Sequence, residues 1–409
     1  MWKRLIIVSF IISITFAATN VTLPYFMLYL KGSLHKIVAR FLPAEKVAVE
    51  VGVLTSAFMV TRVVVAFASG FIAEKIGRKR SIISGLILYL LSGLGLTTSM
   101  NFFHVVLWRA IQGVASAMVW PVAESLLVDI VPQGKTKALM FYTMAMNLGF
   151  IFGPVLGGVT LQAVSSMPLD LAVRVPFLWL PLGALFAIII VIKLKDIPHK
   201  TSKIKELSSK IMGVLYVFFF NGFVNGIAAG MMMSVLIIYI MQYITSIPIE
   251  LATLLASSGV LGMLMAVPLT RKMDKISFKK RFEVLIGSGI LHKIVLMSLL
   301  LAKDFNSALV LLTLLNFSFS IAMPLMRSVQ SDIIPKGVTA KVFGIQQSMF
   351  NLGMIIGPLF GSYLYEWFVK NRIDGGWVFV VAGLIGLVGI LSFLTINKEE
   401  LQGEIAASI

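Results

Sequence analysis

"NLGFIFGPVLGG" occupies residues 147–158, and "NLGMIIGPLFGS" occupies residues 351–362, 204 positions later. The two phrases share Asn, Leu, three Gly, an Ile and a Pro in register. Gly149, Gly153, Gly157 and Gly158 stand about one helical turn apart, as do Gly353, Gly357 and Gly361. Such spacing lets two helix backbones approach closely. Pro154 and Pro358 remove a backbone donor and can bend each helix. A long apolar chain that writes this phrase twice is expected to be two copies of one helical plan.

Composition fixes the solvent. Of the 409 residues 58% are hydrophobic and only 13% charged, whereas soluble domains carry about 25% charged residues. A membrane-spanning helix needs about 20 mostly apolar residues. Twelve stretches qualify, near 5–30, 49–73, 82–100, 102–128, 138–165, 173–193, 211–240, 249–270, 282–302, 305–330, 338–366 and 376–396. Backbone groups in lipid must bond within their own segment, so these runs read as helices. The first run is too long for a signal-peptide core and reads as a retained helix.

The net charge of +17 is an orientation signal rather than a nucleic-acid footprint. With twelve spans and a cytoplasmic N-terminus, 23 of the 35 Lys and Arg fall on the cytoplasmic side, 8 outside and 4 at membrane depth. That asymmetry follows the positive-inside rule and places both termini in the cytoplasm. The absence of cysteine excludes disulfides and thiolate metal sites, and four scattered histidines form no metal cluster.

The repeat extends beyond the opening phrase. "EKIGRKR" (74–80) is echoed by "DKISFKKR" (274–281), and "WPVAESLLVDIVPQGKTK" (120–137) by "MPLMRSVQSDIIPKGVTAK" (323–341). The expected organisation is a six-helix bundle over 1–192, a basic polar loop over 193–210 and a second bundle over 211–409. Two halves of even helix number are related by an axis along the membrane normal, the arrangement of secondary transporters with a site between repeats.

Four motifs carry a family resemblance. "GFIAEKIGRKR" (70–80) resembles the signature loop between the second and third helices of the major facilitator superfamily, with Glu74 where that family usually has Asp. "RAIQGVASA" (109–117) resembles its fourth-helix motif, "GFIFGPVLGG" (149–158) the fifth-helix motif of its proton-driven exporters, and "LPY" (23–25) loosely their first-helix proline motif. The resemblance implies a twelve-helix, all-α membrane fold. It implies a cytoplasmic latch built from Gly70, Glu74, Gly77, Arg78 and Asp129, matched in the second half by Asp274 and Asp332. It also implies that helices five and eleven meet at the interface of the halves, which makes the glycine–proline phrases a hinge.

Ionisable groups at membrane depth mark pathways or partners. Glu124 is the main acidic case, and its repeat counterpart is Arg327. Three readings stand open: a gate formed with Arg327, a proton carrier, or a static buried pair. Arg109 is always charged and suits tuning an acid or holding a polar substrate rather than carrying protons. Arg62 has Gly262 as its counterpart and either lines the cavity or bonds a carbonyl. His292 and Lys293, on a helix peripheral in the family, are expected to have buried partners. Asn20, Tyr25, Gln112, Asn221, Asn225 and Asn316 complete the candidate cavity set. The 32–46 stretch reads either as a short amphipathic helix on the headgroups or as a packed loop.

The functional expectation is a monomeric secondary transporter of a prokaryotic plasma membrane, working by alternating access and exporting small amphipathic or lipophilic compounds against protons. Uptake of a sugar or organic anion is the alternative, and a non-transporting receptor or scaffold a third. No nucleotide-binding Gly-rich loop with Lys-Ser/Thr, no catalytic nucleophile–base set and no cofactor motif is evident, so the chain reads as no enzyme.

Overall fold

The computed structural model describes residues 2–131, 135–194, 209–273, 276–334 and 339–396. At some helical positions, Gly70, Glu74 and Asp129 among them, the description extends to the backbone alone. Asp274 and nearly all of the 193–210 loop lie outside the described residues.

Among the described residues the secondary structure is helical throughout. The long helices are α1 (Trp2–Leu30), α2 (Ala48–Ile76), α3 (Arg78–Thr97), α4 (Phe102–Ile130), α5 (Lys135–Ala163), α6 (Trp179–Ile192), α7 (Ser209–Tyr243), α8 (Pro248–Met273), α9 (Phe278–Ser298), α10 (Phe305–Ile333), α11 (Thr339–Lys370) and α12 (Trp377–Leu391). A single turn, Leu169–Ala172, precedes α6 and extends its apolar run. Eleven stretches are long and apolar enough to cross a membrane. The remaining long helix is α11, whose apolar run is diluted by Gln346, Gln347 and Asn351.

Local signals set the helix ends. Asn101 accepts from the His104 amide at 3.0 Å and starts α4. Asp304 and Ser307 form a reciprocal capping box at the start of α10. Between α2 and α3 the chain reverses at Gly77, whose φ of +90° favours a residue without Cβ.

Two compact units divide the chain, Met1–Lys200 with Leu236–Ala256, and Thr201–Val235 with Ser257–Ile409. In the first, α1 packs on α5 and α6, α2 on α4, and α3 on α4 and α6. At one end Arg4 Nη1 donates to Lys193 O at 2.6 Å and Lys79 Nζ to Ile192 O at 2.5 Å, so cations cap the last carbonyls of α6. At the other end Arg174 donates to Thr97 O and Ser99 O, each at 2.7 Å, and pairs with Asp170 at 2.7 Å.

That end also carries the 31–43 stretch, which forms a packed loop rather than a helix, with Leu34, Ile37 and Leu42 buried. Its backbone is tied to the turn between α7 and α8. Leu42 N donates to Met241 O at 3.3 Å, Ser246 N to Arg40 O at 2.9 Å, and Ser246 Oγ to Ala39 O at 2.6 Å. These bonds bring Leu236–Ala256 into the first unit, so the compact units do not break at residues 192 and 211.

In the second unit α9 packs on α10 and α12, and α11 on α12. Its core gathers Phe218, Phe282 and Phe393, with ring centroids 4.8 and 5.8 Å apart about Phe393.

Candidate functional site

A polar interior cluster lies among α1, α2 and α4. Arg109 on α4 is 1% exposed. Its Nη1 donates to Gln112 Oε1 at 2.8 Å, one turn along, and to Asn20 Oδ1 on α1 at 3.1 Å. The guanidinium also lies 5.0 Å from the Phe58 ring centroid and 5.5 Å from that of Phe16. Arg62 approaches the same Phe58 ring at 5.9 Å. Two cations thus share one aromatic side chain, a favourable placement for guanidinium groups. Asn20 and Arg62 are half-buried, whereas Arg109 and Gln112 are buried. The Arg109 Nε and Gln112 Nε2 make no hydrogen bond.

Close helix packing holds this cluster. A Cβ on Gly113 would stand 2.1 Å from Thr61 Oγ1 and 2.2 Å from Phe58 O, so only glycine lets α4 sit this near α2. Thr61 Oγ1 donates across to Ala110 O at 2.7 Å. In the second unit the small residue has changed sides. Gly262 on α8 meets Asn316, Phe317 and Thr313 of α10, and Asn316 corresponds by the repeat to Gly113.

The twin phrases form seams with helices of their own half. Gly149, Gly153 and Gly157 on α5 face Ser13, Ala17 and Ala18 of α1. Gly353 and Gly357 on α11 face Ile227 and the Gly226–Gly230 stretch of α7, Gly361 meets Met231, and Pro358 packs on Gly230. The close approach follows from the spacing, while the partner is the first helix of the same repeat. Gly158 alone turns to another segment, toward Pro248 O and Ala252 of α8.

At the α2–α3 turn, Arg78 is buried and its Nη1 donates to Ser125 O at 3.2 Å. The second unit repeats this contact with a residue the sequence reading passed over. Arg281 Nη1 donates to Ser328 Oγ at 2.7 Å, and its Nη2 lies 2.7 Å from Asp332 Oδ2 in an ion pair. Arg78, Ser125 and Asp129 map on Arg281, Ser328 and Asp332 at one offset of 203. The motif alignment at offset 200 had hidden Arg281 by pairing Arg78 with Phe278.

A family model for the Major Facilitator Superfamily matches residues 5–347 and 218–407. The chain belongs to the major facilitator superfamily. Among relatives, the quinolone resistance protein NorA of Staphylococcus aureus (strain COL) is 23% identical over 401 residues, covering 95% of this chain and 96% of that protein. The uncharacterized MFS-type transporter MJ1560 of Methanocaldococcus jannaschii is 27% identical over 365 residues, covering 85% and 89%. Among solved structures, a variant of the nucleoside transporter NupG aligns with a TM-score of 0.68 at 13% identity over 97% of this chain and 100% of that one. A bacterial homologue of the lysosomal transporter Spinster aligns at 0.65 and 12% identity, over 99% and 96%. These structures share the fold. The chain is a multi-pass transporter of the plasma membrane.

The remaining candidates fall elsewhere in this major facilitator transporter. Tyr25 is fully buried, and its hydroxyl donates to Ser246 O at 2.5 Å, which ties α1 to the α7–α8 turn. Asn225 Nδ2 donates to Asn221 Oδ1 at 2.7 Å, and Asn221 reaches Met326 Sδ at 3.6 Å. Asn316 Nδ2 donates to Leu312 O of its own helix at 2.8 Å. Arg327 lies over the Phe343 ring at 5.0 Å. Glu124 is exposed rather than buried and lies within electrostatic reach of Arg62 and Tyr142. His292 Nδ1 stands 3.1 Å from Ser318 Oγ and 3.3 Å from Leu315 O, and Lys293 is buried against Gly386. Phe16, Phe58 and Thr61 were not singled out in the sequence, where nothing distinguishes them from other apolar-helix residues.

Proposed function

We propose that this chain is a proton-driven exporter of small amphipathic compounds that works by alternating access between its two repeats. The observation that carries the reading is the Asn20–Arg109–Gln112 network joined to Arg62 through Phe58. It gives the bundle a cationic polar cluster beside aromatic rings, as expected for ligands with an apolar body and a polar group. The likeness to a quinolone resistance protein over 95% of the chain supports export as the direction. Both ends of the chain are read as cytoplasmic from the basic residues at that side of the sequence.

Proton coupling is assigned to Glu124, an accessible carboxylate within reach of the Arg62 charge. The arginines themselves stay charged and orient partners rather than exchange protons. The Arg78–Ser125 and Arg281–Ser328–Asp332 contacts are assigned as paired latches at the cytoplasmic end.

Efflux from cells expressing the chain tests this reading. Loss of an amphipathic fluorescent dye should be fast in energised cells and stop when a protonophore collapses the proton gradient. Efflux indifferent to the protonophore, or faster dye accumulation on expression, would reject proton-driven export. Uptake of an organic anion is the second reading, and the same arginine pair favours it.

A further inference from the structure

We propose that the arginine pair about Phe58 is a subsite for the carboxylate of an aromatic organic anion. The inference deepens the transport reading by naming the class of ligand the polar cluster takes.

The first observation is an asymmetry between the repeats. Phe58 and Arg62 on α2 correspond at offset 200 to Ser258 and Gly262 on α8. Arg109 and Gln112 on α4 correspond at offset 203 to Leu312 and Leu315 on α10. The second helix pair is packed closely at Gly262 with no cation or aromatic at these places. The fold therefore does not require the arginines, and placing two at membrane depth is costly without a use.

The second observation is an excess of donors. Arg109 spends Nη1 on two neutral amide oxygens, while its Nε and the Gln112 Nε2 are buried without an acceptor. Among the described residues no hydrogen bond from Arg62 is found. Buried donors left without acceptors are destabilising. A carboxylate supplies two oxygens with four lone pairs, and it matches the planar fork of a guanidinium.

The third observation is order of access. Arg62 and Asn20 are half-buried, whereas Arg109 and Gln112 are buried, so a ligand meets the first two before the second. Phe16 and Phe58 line the cations at 5.0–5.9 Å, so the charges sit in an aromatic rather than aqueous setting.

The test uses the full-length protein in detergent and three ligands with one ring system: 2-naphthoate, its methyl ester and 2-naphthylmethylammonium. Equilibrium binding should favour naphthoate over the ester by about tenfold or more. Arg62→Gln removes the accessible cation. Asn20→Asp is nearly isosteric and gives Arg109 a built-in carboxylate, so it keeps the fold while competing with the ligand. Each should weaken naphthoate by about tenfold and leave the ester unchanged, and Arg62→Lys should restore part of the loss. Equal binding of ester or ammonium, unaltered naphthoate binding by both variants, or no binding of any probe would overturn the subsite. Dye export that survives such a result leaves the transport reading standing. Naphthoate binding without protonophore-sensitive export would support the subsite and reject export.

Discussion

Arg109 and Arg281 mark the two limits of what single residues reveal. Arg109, Gln112 and Asn20 were legible because polar groups are rare in apolar helices, and the structure joins them by hydrogen bonds of 2.8 and 3.1 Å. Phe58 and Thr61 were not, because a phenylalanine or threonine in a spanning helix has many harmless places. Arg281 was hidden by a drift of the repeat offset across one loop. At this scale Glu124→Gln should abolish proton-dependent transport yet leave substrate-for-substrate exchange in place, read as counterflow in vesicles. Loss of both activities would remove Glu124 as the proton carrier. A matched glycine pair tests the packing that holds the cluster. Gly113→Ala must push α4 from α2 and should cost about 1–3 kcal/mol, seen as a lower Tm of the purified protein. Gly287→Ala, with nothing within 4 Å of the added methyl, should be neutral or gain up to about 1 kcal/mol.

Helices were easier to read than their partners. Long apolar runs determine where a helix lies, because lipid leaves the backbone no other option. The twin phrases announced a close approach but not its target, since glycine spacing describes one face only. The structure assigns those faces to α1 and α7. Gly153→Leu should therefore separate α5 from α1, as should Gly357→Leu for α11 and α7, and each should lower Tm without abolishing membrane insertion. Unchanged Tm would mean that the seams are not close-packed.

A pH dependence belongs to the same scale. The Asp304 carboxyl is held below the usual carboxylate range, chiefly by the Ser307 amide and hydroxyl and then by the Asn306 amide. A depressed value contributes stability above the unfolded-state value of about 3.9 and loses it as pH falls through the folded value. Asp304→Ala should thus lower Tm at pH 7, and the gap to the parent should close below about pH 4. A gap that is constant with pH would show that the charged cap has no part in it.

For the whole molecule the internal repeat leads to an expectation of two halves, whereas contacts divide the chain at other points. Leu236–Ala256 joins the first unit through the 31–43 loop and Tyr25, a set of bonds to backbone carbonyls that carries no sequence signature. The chain contains no cysteine, so single cysteines introduced at either end report accessibility directly. Arg281→Gln should open the cytoplasmic end and speed labelling there, with the opposite end protected. Unchanged labelling at both ends would remove the Arg281–Asp332 pair as a latch.

The direct test of the whole reading is transport in proteoliposomes with an imposed pH gradient, using 2-naphthoate and a lipophilic cation in parallel. Protons leaving acid-loaded vesicles should drive substrate inward against its own gradient, and dissipating the pH difference should stop it. Substrate that moves in the same direction as protons, or at a rate indifferent to the gradient, would contradict proton-driven export.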